Sequence, residues 1–226
     1  MTYDSVLFDV DGVLLDFHSD HPTIYRQAVE ATFGAFGVSP SDDDLNAFIA
    51  GATMDDMRRA CARHDIDFAR FWPEREENAS ALQSGMMDRG ERVLYDDSSV
   101  LFDLVDHHDM GLVSSNQHAT IEYMVERFDL THLFEAVYGR DPTVQGFDRT
   151  KPETYYIEKA MNDLDVTDGL YVGDSACDVR AAHRAGLDSA FIRREHRNGY
   201  ELPEEPTYEI ESLTQLHDLP GVADSA

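Results

Sequence analysis

A chain of 226 residues has room for one sizeable α/β domain, or for a core of about 150 residues with a smaller inserted module, and two units is the expectation. With 45 Asp and Glu against 18 Lys and Arg, the net charge of -27 repels both a nucleic-acid backbone and an anionic membrane surface. The acids are spread along the chain and 42% of residues are hydrophobic, which is the composition of a folded protein with an acidic surface, not a disordered one. High salt would screen the self-repulsion of such a surface, so a salt-rich cytoplasm and a halophilic source form a hypothesis that refolding on added salt would support. Cys61 and Cys177 do not make a disulfide framework and read as small buried apolar residues. The start Met1-Thr2-Tyr3-Asp4 has no basic leader, and no run reaches the ~18 apolar residues that span a bilayer. A soluble, cytoplasmic protein with no nucleic-acid or membrane partner is expected, and its oligomeric state is not legible.

The first predicted element is a buried strand over Ser5–Phe8. It runs into Asp9-Val10-Asp11-Gly12-Val13, where two carboxylates two positions apart precede a glycine able to turn sharply. Both acids then project beyond the strand's carboxyl end, where ligands bind in open α/β sheets. A carboxylate held beside a cation can attack phosphorus, and a second carboxyl can give a proton to the leaving oxygen and later take one from water. The same residues could simply end a strand and begin a loop.

From about Asp16 to Tyr95 no convincing strand occurs, but helical patterns do, around Thr23–Phe36, Asp42–Ile49, Asp55–Arg63 and Phe68–Gln83. This stretch is expected to be a helical cap, residues 16-95, over a core of residues 1-15 and 96-226. Phe68, Phe71 and Trp72 read as the cap's own core. His18 and His21 near the hinge, and Arg58 and Arg59, are weak candidates for substrate contacts.

Beyond the cap, apolar strands at Gly111–Val113, Ala136–Tyr138, Gly169–Val172 and Ser189–Ile192 alternate with helical patterns at Ala119–Phe128 and Glu153–Leu164. Tyr208–Leu216 could add a last strand and helix. The alternation implies a doubly wound parallel sheet, an α/β fold with a Rossmann-like core. Ser114-Ser115-Asn116 follows the second strand; its hydroxyl and backbone N–H groups could hold a phosphate, although Ser and Asn are also ordinary helix caps. Lys151, one of two lysines in an Arg-rich basic set, stands before Pro152, a residue suited to a helix start. Viewed alone it could be a solvated lysine. Gly173-Asp174-Ser175-Ala176-Cys177-Asp178 repeats the pattern of strand, glycine, carboxylate and helix. Asp174 is placed as a metal ligand and Asp178, one helical turn on, as a supporting carboxylate, with an ordinary helix cap as the alternative.

Four strand-end clusters in this order resemble the motifs of the haloacid dehalogenase superfamily, in particular its capped phosphatases of the phosphoglycolate phosphatase and beta-phosphoglucomutase kind. The resemblance covers nearly the whole chain. It implies a phosphoric monoester hydrolase acting on a small phosphorylated metabolite, with Asp9 as the nucleophile that forms an aspartyl-phosphate and Asp11 as general acid and base. It further implies Mg2+ held by Asp9, the backbone carbonyl of Asp11 and Asp174, with Ser114, Ser115 and Lys151 on the phosphoryl oxygens and Asp178 orienting Lys151 or a metal-bound water. Dehalogenases of the superfamily lack the second acid of the first motif, so Asp11 argues for phosphate chemistry. A sugar-phosphate mutase and a catalytically silent binding protein on the same scaffold are the rivals.

Overall fold

The computed structural model describes residues 2–16, 21–49 and 52–222, and of His21 and Pro22 the backbone alone. Six strands form one sheet: β1 (Ser5–Phe8), β2 (Asp109–Gln117), β3 (Ala136–Arg140), β4 (Leu170–Gly173), β5 (Asp188–Ile192) and β6 (Tyr208–Ile210). Their order is β3-β2-β1-β4-β5-β6 and every pairing is parallel. The chain fills the sheet to one side of β1, then crosses back to start the other side at β4. β1 is therefore the switch point, and the crevice above its carboxyl end is where such a sheet binds ligands.

The strands read as unbroken apolar runs because both faces are covered. Val6 and Phe8 pack with Leu112, Leu170 and Val172 in one core, whereas Leu7, Val113 and Tyr171 belong to a second core on the opposite face. Helices α6 (His118–Arg127) and α8 (Tyr155–Leu164) cover opposite faces, as does α9 (Ala176–Ala185) beside α8. α8 buries Tyr156, Ile157, Ala160 and Leu164, a helical stripe that ends at left-handed Asp165. The short α5 (Leu101–Leu104) and α7 (Val144–Asp148) complete the core's helices among the described residues.

Between β1 and β2 lie α1 (His21–Ala35), α2 (Asp42–Asn46), α3 (Met54–Ala62) and α4 (Phe68–Asp88). They enclose a third core of Val29, Phe33, Phe48, Phe71 and Trp72, in which the Phe33 and Phe71 rings are 4.7 Å apart. Leaving and returning segments pair beside the sheet: Asp16 N–H donates to Val93 O and Tyr95 N–H to Leu14 O, both at 2.9 Å.

Two local expectations change. β2 runs to Gln117, four residues past the apolar run, so Ser114 and Asn116 lie in the strand and are not helix caps; α6 begins at His118 with no side-chain cap. Pro152 does not start a helix, because α8 begins at Tyr155, and the proline follows a cis bond from Lys151 in the preceding turn. The final segment is a strand and a 3-10 helix, Leu213–Asp218.

Candidate active site

The carboxyl ends of β1, β2 and β4 surround a cavity of about 350 Å3 lined by Asp9, Asp11, Ser114, Lys151 and Asp174, with Tyr25 of α1 closing over it. A larger hollow of about 580 Å3, near Tyr3, Asp106 and His107, lies at the amino ends of the strands, away from all these groups. The chemistry therefore belongs to the smaller space.

Lys151 is the hub. Its side chain is 5% exposed, and its ammonium lies 2.9 Å from Asp9 Oδ1 and 2.6 Å from Asp178 Oδ1. It also donates to the Tyr171 hydroxyl at 2.8 Å and to Val113 O at 3.2 Å. Burial alone would lower this lysine, but Asp178 and Asp9 outweigh it and hold the ammonium well above its ordinary value. Asp178 does two things at once. Its Oδ2 accepts from the Ser175 N–H at 2.9 Å and hydroxyl at 2.5 Å, closing a capping box on α9, while Oδ1 faces Lys151. Helix cap and lysine partner are compatible.

Asp9 is buried, with Oδ1 accepting from the Val10 N–H at 2.8 Å. Burial raises its carboxyl; Lys151 opposes this, but the crowding carboxylates of Asp178, Asp174 and Asp11 add to it, and the net shift is upward. Oxygens of Asp9, Asp174 and Asp178 all lie within 4.8 Å of one another. Three carboxylates against the Lys151 ammonium and the Arg197 guanidinium still leave positive charge in deficit, and hard oxygen donors of this kind suit a small divalent cation.

Gly12 is needed here. Its φ is +80°, and a Cβ would fall 2.3 Å from Asp174 Oδ2 and 2.9 Å from His196 Nε2. Gly173 is equally constrained, since a Cβ would lie 2.2 Å from the Cβ of Asp178.

Several groups at the site carry no sequence motif. Asp174 Oδ2 meets His196 Nε2 at 2.7 Å and accepts from Arg197 Nε at 3.0 Å. Both follow β5 in Arg193-Arg194-Glu195-His196-Arg197, a fifth strand-end cluster of the same type as the other four, so the signal was present. Arg140, at the end of β3, donates to Ser115 O at 2.8 Å and grips Glu76 of α4 at 2.8 and 3.1 Å. Arg92 pairs with Asp11 Oδ1, and Asn116 Nδ2 donates to Asp11 Oδ2 at 2.7 Å. Glu76 and Arg92 lie within or just after the helices, where no strand end marks them.

The remaining candidates divide between the cavity, where Ser114 and Ser115 lie, and the surface. Ser114 is buried and accepts the Asn116 N–H at 3.2 Å. Cys61 is buried, but Cys177 is exposed and lines the cavity, contrary to the expectation for it. Arg58 and Arg59 sit on the exposed face of α3, paired with Asp55 and Asp56, and do not line the cavity. His18 lies outside the described residues, as does the side chain of His21.

The family model for haloacid dehalogenase-like hydrolases matches residues 6–192, which spans the four motifs of Asp9, Ser114, Lys151 and Asp174. The chain belongs to this family. Over 93% of its length this hydrolase is 27% identical to phosphoglycolate phosphatase 1 of Pseudomonas aeruginosa, of which the match covers 77%. It is 24% identical to the fructose-1-phosphate phosphatase YqaB of Escherichia coli, with 84% of this chain and 97% of that protein covered. Among solved structures, CbbY of Rhodobacter sphaeroides in complex with phosphate superposes with a TM-score of 0.67 at 20% identity, over 95% of this hydrolase and 96% of that chain. The Rossmann-like sheet and the expected enzyme class, a phosphoric monoester hydrolase, both stand.

Proposed function

We propose that this hydrolase removes phosphate from a small phosphorylated metabolite through an aspartyl-phosphate on Asp9. The observation that carries the reading is the buried contact of Asp9 with the Lys151 ammonium at 2.9 Å inside the cavity. An anionic nucleophile cannot approach an anionic phosphate unless the charge between them is offset, and Lys151 supplies part of that offset.

The raised carboxyl of Asp9 and the crowding of Asp9, Asp174 and Asp178 fit a divalent cation, which we take to be Mg2+. Asp9, the Asp11 backbone carbonyl and Asp174 would hold it, and when bound it supplies charge neutralisation at the phosphoryl oxygens. Asp178, with one oxygen on Ser175 and the other on Lys151, serves to orient the lysine. In the first half-reaction an Asp9 oxygen bonds to phosphorus as the ester P–O bond breaks, and Asp11 protonates the departing alkoxide. In the second, water attacks phosphorus, Asp11 takes its proton, and the Asp9–phosphate bond breaks to release inorganic phosphate. Ser114, the Ser115 N–H and Lys151 hold the phosphoryl oxygens throughout.

We take residues 16-95 to act as a cap, with Tyr25 presenting its surface to the leaving group. The small cavity, lined by charged and polar residues, and the names of the curated relatives favour a compact substrate such as phosphoglycolate or a sugar phosphate. The test is phosphate release from 4-nitrophenyl phosphate in high salt, with and without Mg2+, for the native chain and Asp9→Asn. Mg2+-dependent turnover that Asp9→Asn abolishes is expected. Turnover that persists in a folded Asp9→Asn protein would sink the covalent reading.

A further inference from the structure

Asp11 is one corner of a closed ring of side chains. Its Oδ1 is paired with the guanidinium of Arg92, and its Oδ2 accepts from Asn116 Nδ2 at 2.7 Å. Arg92 Nη1 and Asn116 Nδ2 then both donate to the same oxygen, Gln83 Oε1, at 2.7 and 2.8 Å. Gln83 returns its own amide to Asn116 Oδ1 at 3.0 Å and to Gln117 Oε1 at 2.9 Å. Arg92 and Gln83 are 2% and 0% exposed, so these bonds do not compete with bulk water. Asp11 and Asn116 line the cavity, but Arg92 and Gln83 do not.

We propose that Arg92 is a positioning residue for the proton transfers of Asp11, acting with Gln83 as the far side of the ring. The inference rests on the acid-base role given to Asp11 above. A carboxyl that must meet the leaving oxygen and then a water has to keep one place through both half-reactions, and Asp11 stands before a left-handed glycine in a loop that leaves its side chain two free rotations. The ring removes that freedom. Arg92 is itself fixed by the backbone pairing of Val93 and Tyr95 with Asp16 and Leu14, which brings the returning segment alongside the first motif. A guanidinium suits the post because it stays charged and offers several donors in one plane, one set for the carboxylate and one for Gln83.

If this is right, Arg92 matters most where the leaving group most needs a proton. kcat/KM for hydrolysis reports the step that expels the leaving group, and phenyl phosphate and 4-nitrophenyl phosphate have nearly the same shape but leaving oxygens of very different basicity. In Arg92→Met, kcat/KM for phenyl phosphate should fall at least about tenfold further than for 4-nitrophenyl phosphate, part of the 10²–10⁴ that a positioned acid contributes. Asp11→Asn should show the same bias, and adding Arg92→Met to it should not enlarge the bias. Arg92→Lys should recover part of it. Gln83→Leu breaks the ring without touching Asp11, and should reproduce the bias in weaker form even if Arg92→Met does not fold. Equal losses on the two esters in every folded variant would overturn the assignment, as would full additivity with Asp11→Asn. Native protein that is folded yet turns over neither ester would remove the hydrolase reading and this one with it, and that failure shows in the native chain before any variant is compared.

Discussion

Two buried clusters of charge border the cavity, and their balance is opposite. At the strand ends Asp9 and Asp178 share the Lys151 ammonium while Asp174 pairs with Arg197 and His196, and burial, with the neighbouring carboxylates adding to it, raises the carboxyl of Asp9. Where α4 meets β3, Glu76 lies between two guanidiniums, Arg75 and Arg140, and its carboxyl is lowered: burial alone would raise it, but Arg140 and then Arg75 outweigh that. The first cluster is short of positive charge and needs something from outside. The second has the reverse excess, two guanidiniums on one carboxylate, and it joins the helices between β1 and β2 to the sheet through Arg140, which also braces Ser115 O. The seam continues along α4 with Ser80 to Thr120 at 3.0 Å and Gln83 to Asn116 and Gln117. The strand ends leave carboxylates that a cation can still meet, whereas the one carboxylate of the seam is held from both sides.

Breaking the cluster around Glu76 should have the largest effect on stability. Glu76→Gln leaves two buried guanidiniums facing each other without their carboxylate, and removing one partner of a buried charge group costs about 3–5 kcal/mol. Denaturant unfolding at neutral pH would measure it. The sign with pH follows from the lowered carboxyl: the stabilisation is complete above the unfolded value of about 4.3 and is lost as pH falls through the folded value. The gap between native and Glu76→Gln should therefore narrow in acid, and a gap that stays constant with pH would refute the account.

The incomplete cluster predicts a smaller effect of opposite sense. Asp9, pushed up to about 7, keeps its proton more readily when folded than when unfolded. Without a cation the fold therefore loses this contribution as pH rises from about 4 through about 7. Cation binding requires the carboxylate, so Mg2+ affinity should climb by up to about tenfold per pH unit below 7, with up to one proton released per ion. Calorimetry in buffers of different ionisation enthalpy reads both quantities. Affinity that is flat across this range would mean that Asp9 is not a ligand.

What could be read from the sequence follows the same division. Asp9, Asp11, Ser114 and Asp174 each end or follow an apolar run, and a parallel sheet brings such ends to one edge whatever lies between them, whereas Lys151 reaches the site from the turn between α7 and α8. The strand-end rule is local, and its consequences are global. The seam obeys no such rule: Glu76, Gln83 and Arg92 sit on or just after helices whose docking angle depends on packing, so nothing in their spacing separates them from surface residues. Ser114 and Asn116 show the limit of local propensity in the other direction. They have the composition of helix caps, but β2 continues past them: its ladder with β3 breaks after Val113 and resumes at Gln117, so they lie in an irregular stretch of strand and α6 starts only at His118.

The smallest effect is expected at the cationic pair on α3. Arg58 and Arg59 are arginines in the insert, as Arg75 is, and by residue type alone they were equally able to meet an anionic substrate. Their side chains are 51% and 66% exposed, and each pairs with an acid three residues earlier on the same helix. Water and salt screen such pairs, so their geometry carries little energy, and neither residue reaches the cavity. Arg58→Ala and Arg59→Ala should leave kcat/KM for a phosphate ester within about twofold of native, the ordinary scatter for exposed sites. A tenfold loss in either would mean that α3 swings over the substrate during turnover, and that the closed seam along α4 is only one of the positions the insert adopts.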